Sequence, residues 1–343
     1  MTRRLLMTAD AVGGVWTYAL ELARALVPFG IDTTLATMGP LPTTDQIADA
    51  AAIPGLDLVT STFALEWMEH PWDDVRAAGE WLVELESRVQ PFVVHLNGFV
   101  HAALRWRAPV LVVGHSCVVS WHEAVGGDID AAWLSAYREA VTAGIRAADC
   151  VVAPSATMLS ALQRHYGPLR RAAVVENGRD PSAFRIARKA PFVLTAGRLW
   201  DRAKNVDALR RIADRLSWPL VAARGLPRHV MTSGLLRASI FALPARYEPF
   251  GLLPLEAALS RCALVLGDIA SLREIWGDAA LYVDPDDADA LHAAIESLIA
   301  DPRRLQEYAG RAHSRARRYS VDRMASRYAR IYDDFAKELR CAS

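Results

Sequence analysis

Two hydrophobic patterns alternate along most of the chain. Short runs of consecutive apolar residues are followed by stretches in which apolar residues recur every three or four positions. The first pattern reads as strands buried on both faces and the second as amphipathic helices. Their alternation predicts helices layered on parallel sheets, an α/β architecture. In the first half, strands are expected at residues 5–7, 31–37, 93–96, 110–113 and 150–153, and helices at 15–26, 73–89 and 129–147. Helix 15–26 carries Trp16, Ala19, Leu22, Ala23 and Leu26 on one stripe. In the second half, strands are expected at 192–196, 218–223, 239–243, 263–266 and 281–283. Helices are expected there at 205–216, 251–260, 286–300, 302–317 and 321–340. The charged, Pro- and Gly-bearing segment ENGRDPSAFRIARKAP, between Val175 and Pro191, reads as a linker. The expected division is a first domain at 1–178, a second at 179–320 and a final helix at 321–343.

Composition narrows the class. A chain of 343 residues is long enough for about two domains. At 52% hydrophobic and 23% charged residues it can bury a large core, which excludes global disorder. Lys+Arg and Asp+Glu both number 39, so formal net charge is zero, against a protein built mainly to hold nucleic acid. Cys117, Cys150, Cys262 and Cys341 stand apart, with no CxxC pair to propose a zinc cluster or a disulfide framework. No HExxH or comparable spacing is present, so no metal is expected. No apolar run reaches membrane-spanning length, and the apolar stretch after the first arginines is too short for a signal peptide. A cytoplasmic, reducing setting is the expectation. Weak attachment to a membrane surface would leave little trace and stays open, as does oligomeric state.

Candidate chemistry concentrates in the second half. The stretch 245–256, ARYEPFGLLPLE, follows a strand and leads into a helix near Gly251. Glu248 lies on the loop and Glu256 within the helix, so both carboxylates can face one ligand. Carboxylates suit sugar hydroxyls. The free amides of Gly251, Leu252 and Leu253 suit an anionic group such as a phosphate. Taken alone, these features fit a surface loop and an ordinary helix charge equally well. The stretch 195–205, TAGRLWDRAKN, also follows a strand directly. Gly197 lets the backbone approach a ligand. Arg198 and Lys204 can clamp a diphosphate, and Asn205 is placed to cap the next helix. Alone, this is more often a solvated basic loop.

In the first half, Gly13 and Gly14 follow the first strand without forming a GxGxxG fingerprint. His95, Asn97, His101, His115 and Ser116 lie at or just past strand ends, where local turn and core hydrogen bonds compete with a ligand role. His95 reads equally as a satisfied histidine near the sheet. Trp67 and Trp72 form either an acceptor platform or, at better odds, loop packing against the sheet.

These motifs together resemble the retaining nucleotide-sugar glycosyltransferases of the GT-B fold, specifically glycosyltransferase family 4, over most of the chain. The family's carboxylate segment reads here as EPFGLLPLE. Its basic loop reads as GRLWDRAKN, its interdomain segment as Asn177 to Phe184, its glycine loop as GGVW, and its histidine as His115 in VLVVGHS. The resemblance implies two Rossmann-like domains facing across a cleft, with the last helix crossing back to the first domain. It implies transfer of a hexosyl group from a UDP-, GDP- or ADP-sugar to a small-molecule or saccharide hydroxyl, with retention by front-face attack. The donor is a substrate, and no cofactor or metal is implied.

Within that resemblance, Arg198 and Lys204 neutralise the donor diphosphate and Glu256 holds the ribose. Glu248 binds the transferred sugar, and His115 contacts it near the C6 hydroxyl. Gly13, Gly14, Asn177, Gly251 and Leu252 complete the donor-binding set. Two departures stand out. Few residues separate WPLVAA from SIFALP, where the family has another strand–helix unit. Arg261 stands where the family usually has glycine, either excluding a left-handed turn or sitting outward. The rival readings are a sugar phosphorylase or epimerase of the same fold, and a catalytically weak nucleotide-sugar-binding protein.

Overall fold

The computed structural model describes residues 2–184, 187–198, 200–223 and 228–342. The elements run in chain order β1 (Arg3–Asp10), α1 (Gly14–Leu26), β2 (Ile31–Met38), α2 (Thr44–Ala51), β3 (Leu56–Thr60), α3 (Trp72–Val89), β4 (Val93–Leu96), β5 (Val110–Val113), α4 (Val118–Val125), α5 (Ala131–Ala147), β6 (Cys150–Ala153), α6 (Ala156–Tyr166) and β7 (Ala172–Val174). They continue β8 (Ala190–Ala196), α7 (Val206–Ile212), β9 (Leu220–Ala223), α8 (Arg228–Arg237), β10 (Ala238–Leu243), α9 (Leu252–Leu259), β11 (Ala263–Gly267), α10 (Ala270–Trp276), β12 (Leu281–Val283), α11 (Ala288–Ala300), α12 (Pro302–Ala316) and α13 (Val321–Ala342).

The chain divides into two units. One comprises residues 1–118, 127–178 and 321–343, and the other residues 119–126 and 179–320. The sequence pattern places residues 119–126 with the first half. In the structure they group with the second unit instead, and Arg202 of that unit donates to the carbonyls of Val125 and Gly126 at 3.3 Å each.

The first unit holds a seven-stranded sheet in the order β3-β2-β1-β4-β5-β6-β7, with every pairing parallel. Its central strands β5 and β6 are four-residue apolar runs, buried throughout as strands covered on both faces must be. The N-termini of its helices follow local chemistry. Thr43 and Gln46 form a capping box before α2, Asp130 caps α5, and Ser155 caps α6. Helix α13 buries Met324, Ala325, Tyr328, Ala329, Tyr332 and Phe335 against the same core as Leu5, Met7, Tyr18 and Leu22. Arg3–Asp333 at 2.6 Å and Arg171–Asp334 at 3.0 Å fix its polar edge.

The second unit holds a five-stranded parallel sheet, β12-β11-β10-β8-β9. One face packs Phe241, Leu255, Leu264, Leu272 and Trp276, and the other packs Val193, Leu209, Ile240, Val265 and Ile295. The short connection between β9 and β10 carries α8. Residues 224–227 of the stretch singled out there lie outside the described residues, as do 185 and 186 of the linker and Leu199 of the basic loop. Arg261 adopts φ +62°, so it takes the left-handed turn itself rather than excluding it.

The sequence pattern passes over β3, β7, α2, α4, α6, α8 and α10. Strand β3 is only partly buried along its length, so it lacks the continuous apolar run of a central strand. The 205–216 helix is shorter than the pattern predicts, ending at Ile212 in a tighter turn, Ala213–Arg215.

Helix α5 crosses so close to the chain at Phe99 that a Cβ on Gly144 would lie 1.9 Å from the Phe99 carbonyl oxygen. That oxygen belongs to backbone and cannot swing away. Gly144→Ala is therefore expected to destabilise the protein by more than ~2 kcal/mol, read as a lowered urea midpoint. Gly310, exposed in α12 with nothing near its Cβ position, is the control. Gly310→Ala should stabilise by about 0.5–1 kcal/mol through helix propensity.

Candidate active site

Strand order in the second sheet reverses between β8 and β10. Strand β9 extends outward beside β8, while β11 and β12 extend outward beside β10. In open parallel sheets, ligands bind beyond the carboxyl ends of strands at such a reversal. The two loops that leave these strands are the ones singled out by sequence. Gly197 ends β8 with φ +123°, and a Cβ there would come within 3.2 Å of Leu253 Cδ1. The first loop therefore passes close to the start of α9.

Hydrogen bonds join the loops. The Arg246 amide donates to the Ala203 carbonyl at 2.8 Å. Asn205 Nδ2 donates to the Pro244 and Pro285 carbonyls at 3.0 and 2.6 Å, and its Oδ1 accepts from Arg246 at 2.7 Å. Asn205 sits at the N-cap position of α7 but in a left-handed conformation, without a side-chain cap. Its amide ties loops together, which corrects the expectation of a cap.

The charges come in pairs. Lys204 Nζ lies 2.7 Å from Glu248 Oε2, each side chain 15% exposed. Arg179 Nε lies 2.9 Å from Glu256 Oε1, with side-chain exposures of only 4% and 14%. Arg198, 45% exposed, reaches Asp201 at 3.3 Å, and its guanidinium stands 5.7 Å from the ring of the exposed Trp200. Asp201 in turn accepts from the Trp121 indole N–H at 3.0 Å and from the Ala203 amide at 2.9 Å. Beside these groups, Gly251 opens α9 at φ +92° with no side-chain cap. The first amides of that helix carry partial positive charge suited to an anion.

The structure thus brings Lys204, Glu248, Gly251 and Leu252 into one neighbourhood, with the Gly197–Arg198 turn against the same helix start. Glu256 lies on that helix, tied to Arg179. Both Arg179 and Asp201 fall inside motifs quoted from the sequence, yet their pairing was not foreseeable from spacing. Trp121 carries no sequence signal toward this site at all.

The first unit presents a second polar set, at the carboxyl ends of β1, β4 and β5. Gly13 turns with φ +92°, and α1 begins at Gly14 without a side-chain cap. His95 is fully buried, with Nε2 at 3.2 Å from the Tyr18 hydroxyl and Nδ1 at 2.6 Å from the Tyr332 hydroxyl. This is the satisfied core histidine among the readings open to it. His101 is likewise buried, bonded to the Val75 carbonyl at 3.0 Å. His115 is partly exposed, and its Nε2 lies 2.8 Å from Asn97 Oδ1. Ser116 beside it is exposed.

Burial holds both His95 and His115 at about 3, far below the usual imidazole value; for His95 the neighbouring His115 adds to the effect. Glu66, unremarked in sequence, is buried and accepts the Phe99 and Val100 amides at 3.0–3.2 Å. Burial raises its carboxyl while those amides oppose the rise. Asn177 is buried, and among the described residues its Oδ1 has no hydrogen-bond partner. Trp67 is 44% exposed, whereas Trp72 opens α3 partly buried.

Among the described residues, no group of three or more His, Cys, Asp or Glu side chains is placed to hold a metal ion. Nor, among the described residues, is any helix long and apolar enough to cross a membrane.

Two parallel α/β sheets of this order are what the GT-B fold requires, and comparison with known proteins makes the chain a glycosyltransferase of that fold. The Glycosyltransferase Family 4 model matches residues 12–183, half of the chain, and the Glycosyl transferases group 1 model matches residues 223–317. The chain belongs to glycosyltransferase family 4. It is 27% identical to glycogen synthase of Mycobacterium tuberculosis H37Rv, covering 89% of this chain and 86% of that one. It is 31% identical to alpha-maltose-1-phosphate synthase of Mycolicibacterium smegmatis over 37% of this chain and 36% of that one. In structure it resembles sucrose-phosphate synthase of Thermosynechococcus elongatus, with a TM-score of 0.81 at 17% identity over 99% of this chain and all of that one. It also resembles Anabaena HepE in complex with UDP-glucose, with a TM-score of 0.74 at 16% identity over 96% and 99% of the two chains.

Removing one partner of a buried ion pair strands the other charge. Arg179→Ala is expected to cost about 3–5 kcal/mol. Arg215→Ala, which breaks an exposed pair with Asp289, should cost less than ~1 kcal/mol. Urea midpoints of the two variants, compared with the parent, check this contrast.

The histidines give a pH dependence of defined sign. Unfolded, each binds a proton below about 6.5; folded, each stays neutral down to about 3. The unfolded state therefore holds more protons between those values. Stability should fall as pH drops from 6.5 toward 3, by up to about 1.4 kcal/mol per pH unit for each histidine. His95→Gln should flatten that slope by one proton's worth, measured by urea titrations across the range.

Proposed function

We propose that this enzyme transfers a hexosyl group, with retention of configuration, from a nucleoside diphosphate sugar to a hydroxyl of a saccharide acceptor, without a metal ion. The observation that carries the proposal is the Lys204–Glu248 pair beside the uncapped start of α9, at the strand-order reversal of the second sheet. In this proposal the departing diphosphate lies over Arg198, Lys204 and the amides of Gly251 and Leu252. Each of these fixed positive groups gains most where the leaving group's charge is greatest, so they lower the barrier rather than merely tighten binding. The same residues supply the compensation that a divalent cation gives elsewhere. A neutral nucleoside diphosphate sugar does not exist at neutral pH, so a site with two cations and a helix start suits its negative charge.

Glu248 keeps one oxygen on Lys204. Among the described residues its other oxygen has no protein partner, which leaves it for hydroxyls of the transferred sugar. Glu256 is proposed to take the ribose hydroxyls, with Arg179 holding its carboxylate in place. Gly13, Gly14 and Asn177 belong to the proposed donor set by family relation, and His115 is proposed to contact a sugar hydroxyl. The bond from the anomeric carbon to the phosphate oxygen breaks, and the bond to the acceptor oxygen forms on the same face. The acceptor proton passes to the leaving phosphate oxygen. The HepE complex supports a nucleotide-sugar donor, and the glycogen synthase relative supports a saccharide acceptor.

The test is nucleoside diphosphate release from UDP-, GDP- and ADP-glucose and the matching mannose donors, with EDTA present and a panel of saccharide acceptors. Release should survive EDTA. Arg198→Ala and Glu248→Ala should each lower it by about 100-fold or more. Proton NMR of the product should show the donor's own anomeric configuration. Inverted product would end the retention claim, loss of activity in EDTA would end the metal-free one, and indifference to every nucleotide sugar would end the donor assignment.

A further inference from the structure

The carboxyl ends of β1, β4 and β5, adjacent strands of the first sheet, are bridged by one chain of hydrogen bonds. Asn97, just past β4, donates its backbone N–H to Thr8 Oγ1 at 3.0 Å and its Nδ2 to the Thr8 carbonyl at 2.7 Å. Its Oδ1 faces His115 Nε2, just past β5, at 2.8 Å. A main-chain carbonyl can only accept. The side-chain atom beside Thr8 is therefore the NH₂, and the atom beside His115 is therefore the oxygen. An amide oxygen also only accepts, so His115 Nε2 must carry a hydrogen.

We infer that Asn97 is a positioning residue that holds His115 in the Nε2–H tautomer and leaves Nδ1 as a bare acceptor, so that His115 takes a sugar hydroxyl and not a phosphate oxygen. The inference rests on the reading of His115 as a sugar contact and adds the direction of that contact. His115 is neutral at pH 7, since burial holds it at about 3, so its single ring hydrogen is the one on Nε2. Among the described residues nothing hydrogen-bonds to Nδ1, and the side chain is partly exposed. A hydroxyl can donate to that lone pair. A phosphate oxygen would meet it lone pair to lone pair.

The ring cannot easily turn over to offer the other nitrogen. Tyr18 packs edge-on against it, with centroids 4.4 Å apart and planes at 70°. The chain beside it is equally confined, since a Cβ on Gly114 would lie 2.6 Å from Leu162 Cδ1. The loop carrying Asn97 is anchored by the buried Glu66 carboxylate through the Phe99 and Val100 amides. Second partners of this kind fix which imidazole nitrogen faces a ligand.

The test is the long-range proton–nitrogen spectrum of the full chain, labelled with ¹⁵N-histidine, free of ligand at pH 7. His115→Gln identifies the signals. His115 should show the Nε2–H pattern alone, and inorganic phosphate should leave its Nδ1 signal in place. Asn97→Leu removes the accepting oxygen and should give a mixture of tautomers. An Nδ1–H or doubly protonated ring in the parent would overturn the inference. So would conversion to imidazolium on adding phosphate, or an unchanged pattern in a folded Asn97→Leu variant. Should Asn97→Leu not fold, the parent spectrum still decides. The tautomer is read without any nucleotide sugar, so failure of the donor assignment shows separately, as absence of nucleoside diphosphate release.

Discussion

The second unit depends on keeping positive charge fixed in a half-dry place. Lys204 and Glu248 solve this by holding each other at 2.7 Å, each largely screened from water. An isolated ammonium at that exposure would lose much of its hydration without return, and the pair restores part of it. The pair in turn requires two loops from distant parts of the chain to stay in register. Their mutual hydrogen bonds through Arg246, Ala203 and Asn205 do that, and Ser271 fixes the Glu248 carbonyl at 2.6 Å from the far side. The sheet beneath is close-packed on both faces, so the loops rest on a rigid base.

The two units use one architectural device for different chemistry. Each sheet reverses its strand order once, between β1 and β4 in the first and between β8 and β10 in the second. In each, the polar groups gather beyond the carboxyl ends at that reversal. The second unit gathers charges and a helix start there, which suits a phosphate. The first gathers a neutral relay of Thr8, Asn97 and His115, which suits a hydroxyl. Its histidines are held neutral by burial, so they contribute direction and no charge.

Much of this was legible in the sequence, for identifiable reasons. The central strands read clearly because burial on both faces makes them uninterrupted apolar runs. Strands β3 and β7, at the edges of the first sheet, read poorly because partial exposure leaves them no uninterrupted buried run. The loops that carry Lys204, Glu248 and Gly251 were legible because each lies directly between a strand and a helix. Their partners were not. Arg179 meets Glu256, and Trp121 meets Asp201, across 77 and 80 positions of sequence that only the fold brings together. Asn205 shows the same limit from the other side. Local spacing predicted a cap, and tertiary contacts with Pro244, Pro285 and Arg246 claimed its side chain instead.

The central claim is that the paired charges at the β8–β10 reversal receive a diphosphate. A crystal structure of the protein grown with a nucleoside diphosphate tests it most directly. The phosphates are expected within hydrogen-bonding distance of Lys204, Arg198 and the Leu252 amide, with Lys204 keeping Glu248 as its second partner. Phosphates bound elsewhere, with Lys204 still held by Glu248 alone and the start of α9 untouched, would contradict it.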